Sequence, residues 1–156
     1  MITSIKGQLA DWKYARANTL RFLNQLSDEE LKKPLPRETF TTIYEQIIEM
    51  AWVQRCFVKA ISAKTLEGMD WEAPTYATKD ELIKQMAQFD IDMTRVLDEC
   101  DGTEYVDWFG NIKSLNEHIS SLQSHEMMHL GQIIAFCHAL GICIPPEVTR
   151  AMHLTS

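Results

Sequence analysis

Residues 125–132 read His-Glu-Met-Met-His-Leu-Gly-Gln. On a helix, four residues turn the chain by about 400° and raise it by about 6 Å, so the rings of His125 and His129 lie one above the other. That is the usual way for one helix to offer two nitrogen ligands to a single metal ion. Extending the three- and four-residue spacing gives Leu115, His118, Leu122, His125, His129, Gln132, Phe136 and Ala139. The ends of this stripe are apolar and its middle is imidazole, on the seam that a helix turns toward its neighbours. The plainer reading is a pair of core histidines satisfied by hydrogen bonds.

A metal needs a third ligand. His118 lies seven residues, about 10.5 Å, from His125, too far for the same ion, and reads as a pocket residue. His138 is nine residues past His129, about 180° around the helix. His153 lies in a tail of unknown path. A better candidate stands in Ile47-Ile48-Glu49-Met50-Ala51-Trp52-Val53, one carboxylate in an apolar run. Burying an unpaired carboxylate costs several kcal/mol, so Glu49 is expected to meet a cation. The alternative turns it to solvent beside Glu45. The expected site is Glu49, His125 and His129 with one open position. Trp52, His118 and Gln132 are pocket residues by helical stripe alone.

His125-Glu126-Met127-Met128-His129 also satisfies H-E-x-x-H, in which the Glu is the general base of a zinc peptidase. Leu130-Gly131-Gln132-Ile133 lacks the Gly and third His that continue one such class. Glu147, a downstream ligand candidate, directly follows Pro145-Pro146. Glu126 stands one step, about 100°, off the histidine seam, so its replacement by Gln is expected to matter little.

Helices must carry these residues. Ser27 with Glu30, Thr42 with Glu45, Thr78 with Glu81 and Ser114 with Glu117 fit the capping box, in which each partner satisfies an orphan backbone donor of the other. They predict long helices at about 3–27, 40–66, 78–100 and 114–140, and a short one at about 28–33. Pro34 and Pro36 stop the short helix. Gly141 and Pro145-Pro146 end the last long one. The apolar stripes are Ile5, Leu9, Trp12, Leu20, Leu23, Leu26; Phe40, Ile43, Ile47, Met50, Phe57, Ile61; and Leu82, Met86, Phe89, Met93, Val96, Leu97. Only Tyr105–Phe109 reads as a short extended piece. The fold expected is all-α, a four-helix bundle forming a single domain over residues 1–156.

The 156 residues suffice to bury a core without disulfide or metal staples. The net charge of -7 and the lack of a basic run argue against nucleic acid. No 18-residue apolar stretch suggests a membrane span, and no signal peptide is evident, so a cytoplasmic protein is expected. The four cysteines, at 56, 100, 137 and 143, are read as reduced, buried or inert.

With these residues in hand, the chain resembles the DinB superfamily over nearly its whole length. The resemblance rests on Trp12-Lys13-Tyr14-Ala15-Arg16 leading to Leu26-Ser27-Asp28-Glu29-Glu30-Leu31. It continues through Thr42–Ala51, then His125 through Gln132 and Leu140-Gly141-Ile142-Cys143-Ile144-Pro145-Pro146. Where the family places a metal-binding His on its second helix, this sequence carries Glu49. A His-His-Glu set still suits one divalent transition metal such as Zn, Ni, Fe or Mn. The alternative is a weakened or lost metal. The resemblance implies an up-down-down-up bundle and a homodimer. It also implies a metal-dependent thiol S-transferase, with a low-molecular-weight thiol and an electrophile as substrates. The rival is a non-catalytic, stress-related bundle with or without metal, and behind it the small metallopeptidase.

Overall fold

The computed structural model describes residues 3–66, 75–76 and 78–154. Among them the chain is mostly helical, with six helices and one three-stranded sheet. The four long helices are α1 (Thr3–Gln25), α3 (Ile43–Ala63), α4 (Lys79–Asp98) and α5 (Leu115–Leu140). The short ones are α2 (Asp28–Lys32) and α6 (Pro146–Ala151). No helix among the described residues is long and apolar enough to cross a membrane.

The cap chemistry read from the sequence sets the starts. Ser27, Thr42 and Ser114 each complete a capping box with the Glu three residues on. The Thr78 hydroxyl accepts from the Glu81 N–H. Helix α3 therefore begins at Ile43 rather than 40. Phe40, expected on its apolar stripe, instead sits outside the helix at φ 48 and is partly exposed. Gly141 closes α5 in the left-handed region at φ 67, a conformation glycine adopts without steric cost.

The sheet goes beyond the expected extended piece. Strands β1 (Thr65–Leu66), β2 (Tyr105–Trp108) and β3 (Asn111–Ser114) lie in that order. β1 pairs parallel to β2, and β2 pairs antiparallel to β3 with Trp108 opposite Asn111. The two loop residues, Phe109 and Gly110, both have positive φ (52 and 81), as a tight hairpin turn requires.

Two apolar clusters fill the interior. One gathers Phe22, Leu23, Ile43, Ile47, Met50, Leu82, Met86, Leu130 and Ile133. The other gathers Ile5, Leu9, Trp12, Phe57, Ile61, Met93, Leu97, Leu115 and Leu122. Each long helix passes from one cluster to the other. α1 and α5 run in one sense, α3 and α4 in the opposite sense. α1 packs along α5, and α3 packs against both α4 and α5. At the crossing between clusters each helix contributes polar side chains: Arg16 and Thr19, Gln54, Asp90, and Glu126.

Candidate metal centre

α3 and α5 lie side by side, and their facing residues bring together Glu49, His125 and His129, with ligand atoms all within 4.8 Å of one another. His125 Nε2 is 3.1 Å from Glu49 Oε1. His129 Nε2 is 2.7 Å from Glu49 Oε2 and 3.2 Å from His125 Nε2. The side chains are 15%, 20% and 4% exposed for Glu49, His125 and His129, so the cluster is half-sheltered, with His125 its most open member.

A residue the sequence reading passed over fixes the chemistry. Gln46 is fully buried one turn before Glu49, and its Oε1 lies 2.6 Å from His129 Nδ1. An amide oxygen only accepts, so Nδ1–H of His129 donates there and the lone pair of a neutral ring sits on Nε2. That lone pair faces a carboxylate oxygen and a second imidazole nitrogen. A cation, proton or metal, must stand among them. Burial works to raise the Glu49 carboxyl. When a proton is the cation that stands there, the charged imidazoles of His125 and His129 outweigh it and hold the group down at about 2.

The spacing suits a metal. With metal–nitrogen and metal–oxygen distances of about 2.0–2.2 Å, neighbouring ligands of a tetrahedral ion stand about 3.3–3.6 Å apart. Two of the three separations, 3.1 and 3.2 Å, are slightly tighter, and the 2.7 Å from His129 to Glu49 would have to open on binding. Buried polar atoms are also left over. Glu49 Oε2, although close to His129 Nε2, makes no well-directed hydrogen bond, and His125 Nδ1 has no hydrogen-bond partner. The donor set therefore fits a divalent transition ion.

The remaining sequence candidates lie elsewhere or beside the cluster. His118 is 1% exposed in the second apolar cluster, its ring 4.3 Å from Phe57 and 4.9 Å from Trp108. Its Nε2 has no hydrogen-bond partner, and burial pushes its pKa down to about 4 with help from the Lys113 charge. Trp52 is buried in that same cluster, and Gln132 is half-buried on α5. His138 and His153 are exposed. Glu147 contacts Gln25 and Arg150 on the surface. All four cysteines are free; Cys56, Cys100 and Cys137 are buried and Cys143 is exposed. Phe40 sets its ring edge-on to His129 at 6.4 Å. It also lines a cavity of about 470 Å³ with Glu38, Thr39, Thr41, Glu45, Ile48 and Thr75.

Glu126 faces the other way. It is fully buried against α1, where Arg16 Nη2 lies 3.1 Å from Oε2 and the Thr19 hydroxyl donates to Oε1 at 2.6 Å. It lies outside the ligand cluster, as its place one step off the histidine seam implies, but it is a buried counter-charge of Arg16, whose Nε also lies 3.8 Å from Asp90 Oδ1. The peptidase reading loses its base, since this carboxylate is committed to Arg16 and Thr19 and is no part of the ligand cluster.

A family model described as the DinB superfamily matches residues 11–133. The match spans α1 through most of α5 and includes Glu49, His125 and His129. No protein of curated function matches the chain.

Proposed function

The chain belongs to the DinB superfamily, and from that premise we propose that it is a divalent-metal-dependent thiol S-transferase built on a single DinB-like four-helix bundle. The observation that carries the reading is the lone pair of His129 Nε2 aimed at a carboxylate oxygen 2.7 Å away.

Glu49, His125 and His129 would hold the ion, and three protein ligands leave it a position for an exogenous group. When bound, a divalent ion lowers the pKa of a coordinated thiol and fixes the direction of its sulfur. The chain's own residues do the rest. Gln46 takes the Nδ1 proton of His129 and keeps Nε2 free. Glu49 brings one negative charge to the site, which three neutral histidines would not. We place the electrophile in the cavity lined by Phe40, whose ring also stands edge-on to His129. Phe40 and Ile48 supply apolar surface, and Glu38 and Glu45 disfavour an anionic occupant. In the transfer, sulfur forms a bond to the electrophilic carbon, the leaving group departs with its electron pair, and the thiol proton goes to solvent. A cytoplasmic setting, where small thiols stay reduced, and a homodimer complete the proposal.

The test begins with elemental analysis of protein purified without a metal-binding tag. The metal-loaded protein then receives a small alkyl halide with bacillithiol, mycothiol, glutathione or cysteine in turn, and loss of free thiol is followed. Metal-dependent consumption of one thiol, absent in His129→Ala, is expected. Stoichiometric metal with no thiol consumed would favour a non-catalytic metal-binding bundle. Absence of metal would remove the reading.

A further inference from the structure

Arg16 lies outside the ligand cluster, yet it touches both helices that build it. Its Nη2 donates to Gln54 Oε1 of α3 at 2.8 Å and pairs with Glu126 Oε2 of α5 at 3.1 Å. Gln54 follows Glu49 by five residues on α3, and Glu126 stands between the two histidines on α5. Gln54 Nε2 in turn donates to Asp90 Oδ1 of α4 at 2.8 Å, and Thr19 of α1 donates to Glu126. Arg16, Gln54 and Glu126 are each nine-tenths buried or more.

We propose that Arg16 is a positioning residue for the metal centre: one guanidinium, clamped between Gln54 and Glu126, sets the rotation and separation of α3 and α5 that bring Glu49 to His125 and His129. The inference rests on the metal reading above.

Apolar side chains of similar volume would hold four helices together at least as well as a buried ionic layer, so cohesion alone does not account for the layer. The directed bonds of the layer, Arg16 to Gln54, Thr19 to Glu126 and Gln54 to Asp90, fix what apolar contacts leave adjustable, and the ion pair of Arg16 with Glu126 joins them across to α5. A ring nitrogen stands roughly 6 Å from its helix axis, so a rotation of about 10° moves it by about 1 Å. A metal site tolerates roughly 0.5 Å. The clamp acts at the level of the ligands themselves, since Glu126 shares the helical turn of His125 and His129.

The test separates positioning from stability. Metal-free protein is titrated with Co(II), whose visible absorption reports ligand geometry. The variants are wild type, His129→Ala, the double variant Arg16→Met with Glu126→Leu, Arg16→Lys, and Leu23→Ala as a core control remote in role from the clamp. The double variant removes both charges of the closest pair, while Asp90, 3.8 Å from Arg16 Nε, keeps its hydrogen bond from Gln54. It is expected to unfold cooperatively, to bind Co(II) at least tenfold more weakly than wild type, and to lose the wild-type spectrum. Leu23→Ala, though less stable, is expected to keep both affinity and spectrum, and Arg16→Lys to fall between. A folded double variant with wild-type affinity and spectrum overturns the proposal. Should that variant fail to fold, Arg16→Lys decides: unchanged affinity and spectrum overturn the proposal, and a weaker, altered site supports it. Wild type that binds no Co(II), or His129→Ala that binds it equally well, overturns the metal reading itself and the positioning role with it.

Discussion

Two buried carboxylates stand on either side of α5, and the fold treats them differently. Glu126 meets a guanidinium supplied by α1, a hydroxyl from Thr19 and, through Arg16, the amide of Gln54. Among the described residues Glu49 pairs with two imidazoles, whose charge depends on protonation. The first carboxylate has its counter-charge built into the chain. The second is left to collect one. Structural ion pairs are closed in this way by the protein itself, whereas a convergence of ligand atoms such as Glu49, His125 and His129 is an arrangement that could hold a metal ion.

The largest difference should appear in stability. Removing one partner of a buried ion pair costs about 3–5 kcal/mol, because the other charge is left uncompensated. Glu126→Ala is expected to lose that much in urea unfolding of metal-free protein. Glu49→Gln should cost metal-free protein less than that at a pH above the ordinary histidine range, since the neutral amide is cheaper to bury and the imidazoles can remain neutral. Equal losses in the two variants would erase the distinction between a structural and a ligand-collecting carboxylate.

A third buried polar group sharpens the contrast. Among the described residues His118 has no ion-pair partner and belongs to no ligand cluster, and its ring packs on Phe57 and Trp108. Its pKa in the folded chain is pushed down to about 4, against an ordinary 6.5. Between those values the unfolded chain takes up a proton that the folded chain refuses, so stability is full at pH 7 and falls as the pH drops from 6.5 toward 4. The loss is about 3 kcal/mol at 1.36 kcal/mol per pKa unit. His118→Phe should flatten that part of the stability curve. A curve of unchanged slope in the variant would show that other groups carry the acid sensitivity.

What the sequence made legible follows from which signals are local. Cap residues act within four positions, so the helix starts at Lys79 and Leu115 were readable from Thr78 and Ser114, whereas the start at Ile43, marked by Thr42, was overrun by extending the apolar stripe back to Phe40. The i, i+4 histidines were readable for the same reason, and Glu49 was readable because a carboxylate in an apolar run needs an explanation. The hairpin was legible only in part. Its turn is Phe109-Gly110, and an aromatic residue at positive φ lacks the Asn-Gly or Asp-Gly pattern that announces such turns. Here Phe109 sets its ring edge-on to Trp108, with ring centres 5.3 Å apart. The polar layer was invisible because Arg16, Gln54, Asp90 and Glu126 are common surface residues, and only their meeting across four helices makes them interior. Gln46 left a faint trace: it precedes Glu49 by three residues and so shares its helical face.

Gln46 also gives the finest cut between the two carboxylate sites. Leucine in its place has similar bulk, so packing around a fully buried position is largely kept. What is lost is the acceptor for His129 Nδ1–H. Without it the ring can carry its proton on either nitrogen and is free to tilt, and a ring protonated on Nε2 offers no lone pair to an ion. Losing a partner of this kind typically weakens metal affinity 10–100-fold. Gln46→Leu is therefore expected to raise the Kd for Co(II) or Zn(II) by that factor while metal-free stability moves by about 1 kcal/mol or less. Gln46→Glu should retain affinity, because a carboxylate also accepts from Nδ1–H and makes the imidazole a stronger donor to the ion. If Gln46→Leu binds metal as wild type does, the orientation of His129 comes from its neighbours in space, Phe40 among them, and the hydrogen bond is incidental.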